Sequence, residues 1–113
     1  MLALPWDLET IGNYAFDTSG NTNTIYLSAI PPMVTSIGNN AFGSRVISDG
    51  RLIMLCASAT DIHKTAFNGL TVNTIILPEG VDRSAAPWAN APWGATKADG
   101  SPADVIRGED AHG

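Results

Sequence analysis

The sequence predicts a solenoid of three to four coils: short parallel β-strands stack into one ladder, and short helical or 3-10 turns close the opposite side. Three observations lead there. A six-residue phrase recurs as IGNYAF (11–16), IGNNAF (37–42) and IHKTAF (62–67), at steps of 26 and 25 residues. Short β-type runs lie between the phrases: TIYL (24–27), LIML (52–55) and TIIL (74–77), with LALP (2–5) ahead of the first. The connectors DTSGNTN, GSRVISDG and NGLTVN are rich in turn-forming residues. Self-similarity at a period of this length marks a stacked architecture.

Each element follows from the same constraint. A strand of three or four residues cannot bury its apolar side alone, but parallel copies about 4.8 Å apart form a continuous ladder. Alternation along the strand sends Leu2 and Leu4, Ile25 and Leu27, Ile53 and Leu55, and Ile75 and Leu77 inward. The Ile and Phe of the repeated phrase form the opposite inner wall, with Phe16, Phe42 and Phe67 stacked as one buried column. Gly allows the bend between them and the small Ala lets neighbouring coils approach. Leu4 to Ile11 and Leu55 to Ile62 are both seven residues, so these connectors match. SAIPPMV (28–34) is read as an irregular loop inserted in the second repeat. The solenoid is expected over 1–81.

The remaining strand positions, Ala3, Tyr26, Met54 and Ile76, then point outward, one rung above another. An exposed apolar column of this kind marks an interaction site for a protein partner or a second copy of the chain. The competing reading is ordinary β-propensity on an open sheet, or cover by the C-terminal segment.

From residue 82 the pattern changes. APW occurs twice, at 86–88 and 91–93, and the chain then becomes polar apart from Val105 and Ile106. A stacked array must cover its last rung, and Trp88 and Trp93 are available to lie over the core beside Ile75 and Leu77. Alternatively, the two tryptophans are exposed and bind a sugar ring or a partner by stacking. The proline ahead of each favours an extended chain. Residues 82–98 are expected to be a cap and 99–113 a flexible tail.

Composition narrows the function classes. The net charge is −5 and the six Lys and Arg are scattered, which argues against nucleic acid or an anionic membrane as partner. No apolar run approaches the roughly 18–20 residues of a membrane span, so no membrane insertion is expected. The start, MLALPWDLETIG, has neither a basic segment nor a long apolar one, and is not read as a signal peptide. A lone Cys56 excludes an internal disulfide and has no basic neighbour in sequence to activate it. His63 and Asp61 alone make no coordination shell, so no metal or other cofactor is expected. No carboxylate pair or phosphate loop is distinguishable. The chain is read as not an enzyme.

LALPWDLETIGNYAF (2–16), VTSIGNNAFG (34–43) and IHKTAFNGL (62–70) resemble the BspA-like leucine-rich repeats of bacterial surface proteins, whose unit reads Ile-x-Ile-Pro, a spacer, then Ile-Gly-x-x-Ala-Phe. IILPEGVD (75–82) resembles the last strand of such arrays. The resemblance covers about 1–82 and implies a leucine-rich-repeat solenoid with no catalytic residues. It implies adhesion or protein binding at a host or bacterial surface, and a cell-surface or secreted location. Opening inside a repeat, the chain reads as a fragment or a module of a longer product. Two functions are carried forward. One is a non-enzymatic protein-binding or adhesion module, with Tyr26, Met54, Ile76, Trp88 and Trp93 as candidate contacts. The other is a structural, self-assembling component, a homo-oligomer or part of a larger surface protein or phage tail-type assembly.

Overall fold

The computed structural model describes residues 6–15, 25–26, 29–42, 46–47 and 50–110. Strands are short and pair in parallel. In chain order they are β1 (Thr10–Ile11), β2 (Ile25–Tyr26), β3 (Ala29–Ile30), β4 (Ser36–Ile37), β5 (Val46–Ile47), β6 (Arg51–Met54), β7 (Asp61–Ile62), β8 (Thr74–Leu77) and β9 (Asp104–Arg107). Single 3-10 turns occupy Trp88–Asn90 and Gly108–Asp110. Three sheets result, in the orders β1-β4-β7, β2-β5 and β3-β6-β8-β9.

The single ladder expected from the sequence is therefore replaced by several. The repeated phrase begins on a strand of its own, because each copy opens on Ile that pairs with its counterpart: Ile11 with Ile37, and Ile37 with Ile62. All three isoleucines are buried. Backbone bonds extend this pairing into the turns, with Gly38 N–H donating to Ile11 C=O at 2.8 Å and His63 N–H to Ile37 C=O at 2.9 Å.

Inside the molecule, the two walls meet in an aromatic stack. The Phe42 and Phe67 ring centroids are 5.4 Å apart, and Trp93 meets Phe67 edge-on at 5.3 Å. Phe16, the first member of the expected column, lies outside the described residues. Trp93 takes the place that a fourth Phe would hold: Phe67 N–H donates to Trp93 C=O at 2.9 Å, so the two backbones are also neighbours. The Trp93 indole N–H donates to Pro87 C=O at 3.1 Å, which satisfies its polar atom inside the core. Trp88 packs against Trp93 with centroids 6.1 Å apart. The Ala86–Pro87 and Ala91–Pro92 bonds are cis, and the segment turns rather than running extended.

Two register expectations are corrected. Ile30, in the stretch read as an inserted loop, is the ladder partner of Met54, and Leu55 N–H donates to Ile30 C=O at 3.0 Å. The run at 24–27 contributes Ile25–Tyr26 to a different sheet, paired with Val46–Ile47. Second, the alternation in 52–55 is inverted. Leu52, Met54 and Cys56 are buried, and Ile53 and Leu55 face out at 42% and 38% exposure. The cause is one residue of connector: Ile30 stands seven residues before Ile37, whereas its partner Met54 stands eight before Ile62. A shift of one in a strand exchanges its two faces. In β8 the expected inward pair, Ile75 and Leu77, is buried.

The flexible tail expected from residue 99 does not describe residues 104–107. They form β9, which pairs with β8 over four residues, Ile75 with Val105 and Ile76 with Ile106 among them. Thr71 and Thr96 also bridge in parallel, and Val72 N–H donates to Thr96 C=O at 2.9 Å. Residues 91–107 thus trace one further rung with Trp in place of Phe.

Side chains pin the windings to one another. Asn39 N–H donates to Asn13 Oδ1 at 2.8 Å, and the Thr65 hydroxyl donates to Asn39 Oδ1 in turn. Gly38 permits this contact, since a Cβ there would sit 2.6 Å from the Asn13 backbone nitrogen.

Phe67→Ala is expected to lower the unfolding free energy by about 3–5 kcal/mol, read from urea denaturation, because the ring is buried between two others. Gly38→Ala is expected to cost about 1–3 kcal/mol through the crowded Asn13 contact. Gly12→Ala, with nothing within 4 Å of its Cβ among the described residues, is expected to cost less. Equal losses at the two glycines would contradict the close approach.

Candidate protein-binding face

The pleat of the four-stranded sheet separates its residues into columns. Inward lie Leu52, Ile75 and Val105, and beside them Ile30, Met54 and Leu77. The outer face carries Ala29, Ile53, Ile76 and Ile106 in one row across the strands. A second outer row is Arg51, Thr74 and Asp104. Three β-branched isoleucines side by side are what a short sheet needs for pairing, but only one of their faces can be buried.

Beyond the isoleucine row the surface dips into a hollow of about 340 Å³. Its walls include Ile53, Leu55, Ile76 and Pro78, and its rim carries Glu79 and Gly108. Gly108 is close to Glu79 there: a Cβ at 108 would lie 2.8 Å from Glu79 Cγ, so the glutamate side chain would have to move. Glu109 closes the same end, accepting a hydrogen bond from Gly80 N–H at 3.2 Å and facing the Arg107 guanidinium at 3.6 Å. At the opposite end of the strands, Lys97 pairs with Asp104 at 3.1 Å.

The candidate contacts named from the sequence are not brought together. Met54 is 1% exposed and lies inside the core, for the register reason given above. Tyr26 belongs to the β2-β5 sheet, not to the ladder of Ile76. Ile76 is on the outer face, yet only 7% exposed between its neighbours. Trp88 and Trp93 are buried and hold the aromatic stack, so neither of these two rings is open to a ligand. Ile53, Leu55 and Ile106 were missed. The signal for Ile106 was present in the apolar pair Val105–Ile106, which stands out in a polar stretch.

His63 and Cys56 are both engaged within the fold. His63 Nδ1 accepts from Thr65 N–H at 3.1 Å and lies 2.8 Å from the Thr65 hydroxyl, within a turn. No group of three or more metal-ligating side chains occurs among the described residues. Burial pushes the Cys56 thiol up from 9.0 to about 11, with a backbone hydrogen bond partly opposing the shift. At neutral pH it is therefore protonated and a poor nucleophile. Its contribution to stability is full below about pH 9 and is lost as pH rises toward about 11. No helix of the described residues is long and apolar enough to cross a membrane.

A family model described as the BspA type leucine rich repeat region (6 copies) matches residues 1–85. No curated protein and no solved structure matches the chain. The rung formed by 91–107 lies beyond the matched residues, although its strand pairs directly with β8.

The Cys56 thiol is expected to react with a disulfide reagent far more slowly in the native protein than in urea. Equal rates at neutral pH would contradict its placement in the core.

Proposed function

This chain belongs to the BspA-type leucine-rich repeat family, and from that premise we propose that it is a non-enzymatic protein-binding or adhesion module. Its windings stack as a solenoid, and the outer face of β3-β6-β8-β9 meets the partner. The observation that carries this reading is the row Ile53–Ile76–Ile106 beside an apolar hollow, with Ile53 and Leu55 substantially exposed. Covering each of those two side chains would contribute at most roughly 1.5–3 kcal/mol. Such a pair can anchor an interface whose remaining contacts exclude water. Repeat arrays present extended surfaces of this kind because one register places equivalent residues side by side.

The alternative is a structural component that assembles with copies of itself. At the β9 edge, Arg107 pairs in register with Leu77, so a charged side chain stands in a column that is apolar in the preceding rungs. A charged residue on an edge strand opposes further strand addition. That feature favours binding through the sheet face over growth at this end.

The test is selection of displayed random peptides on the immobilised protein, with binders re-measured on variants. Ile53→Asp and Leu55→Asp are expected to weaken face-directed binders by more than tenfold, while Tyr14→Asp, an exposed residue of another sheet's turn, leaves them unchanged. Sedimentation velocity over a range of concentrations separates the second reading. Reversible oligomers dissolved by Ile53→Asp would replace partner binding with self-assembly.

A further inference from the structure

We propose that the hollow at the C-terminal ends of β6 and β8 recognises a single apolar side chain adjoining a Lys or Arg, in an extended segment of a partner protein. The inference rests on the binding role of the outer sheet face and names the chemistry that the face selects.

Size sets the first limit. Ligand pockets run from about 300 to 1,000 Å³, so a hollow of about 340 Å³ stands at the small end. It suits one or two side chains rather than a cofactor. Ile53, Leu55, Ile76 and Pro78 line it with hydrocarbon, which an aliphatic or aromatic group would cover.

Charge sets the second. Among the described residues lining the hollow, Glu79 is the one that is ionisable. Among the described residues it has no ion-pair partner, whereas its neighbour Glu109 is engaged by Arg107 and by Gly80 N–H. The Glu79 side chain lies next to Gly108, where both residues line the hollow. A cation beside the inserted apolar group would meet this carboxylate. The chain's net charge of −5 favours the encounter with a basic segment. Arg51 and Asp104 stand at the far ends of the strands, away from the hollow.

The experiment uses the full chain and a library of displayed random peptides, followed by two synthetic peptides, one centred on Leu-Lys and one on Leu-Glu. Selected sequences are expected to carry an aliphatic or aromatic residue beside Lys or Arg. Glu79→Gln is expected to weaken the Leu-Lys peptide about two- to fivefold, the range of an exposed ion pair. The same substitution should reduce the salt dependence. Glu79→Lys is expected to reverse the preference toward Leu-Glu. Binders that need Ile53 but carry no basic residue and ignore Glu79→Gln would overturn this partner chemistry and leave the binding face standing. Binders indifferent to Ile53→Asp, or a selection that enriches nothing, would overturn both.

Discussion

Everything in this fold depends on register between successive windings, and the aromatic stack is the contact that enforces it. Phe42, Phe67 and Trp93 each touch the next ring at about the spacing of favourable tilted and edge-on pairs. A slip of one residue in a winding would turn its ring out of the stack and expose its isoleucine. Strands of two to four residues cannot prevent that slip through hydrogen bonds alone. The large rings supply the penalty.

Polar side chains refine what the rings impose. The Asn13–Asn39–Thr65 series links three copies of the same turn, and Gly38 makes room for it. Net gains per hydrogen bond are modest, about 0.5–1.5 kcal/mol. Their value lies in geometry: each bond forms only when the same turn of successive windings faces its neighbour. Hydrophobic burial drives the stacking, and the directional contacts select one alignment from the several that burial would tolerate.

Much of this was legible in the sequence because the same constraint acts three times. Ile11, Ile37 and Ile62 announce themselves by repetition, as do Phe42 and Phe67. What misled was local. LIML and TIIL look alike, and aligning them end to end places Ile53 inward. Pairing instead matches RLIM with TIIL, which sets Leu52 beside Ile75 and Ile53 beside Ile76. Periodicity alone cannot reveal an offset of one when both phases of a strand are apolar. The final rung was hidden for a different reason. Its ring is a Trp, its strand DVIR carries charges at both ends, and Pro and Gly residues separate the two. Composition made it resemble a tail, although Trp93 follows Phe67 by the same 26 residues that separate Phe16 from Phe42.

That last rung joins stability to the candidate site. Trp93 covers the final phenylalanine on one side of the molecule, while Ile106 and Gly108 extend the outer row and shape the rim of the hollow on the other. Edge strands need protection from uncontrolled pairing, and here charges at Asp104 and Arg107 supply it without removing the apolar Ile106 between them. The residues of this rung are therefore not free to become merely polar. They must close the core, discourage further strand addition and still complete the outer face. A rung that meets all three demands departs from the repeat in sequence while keeping its place in the ladder.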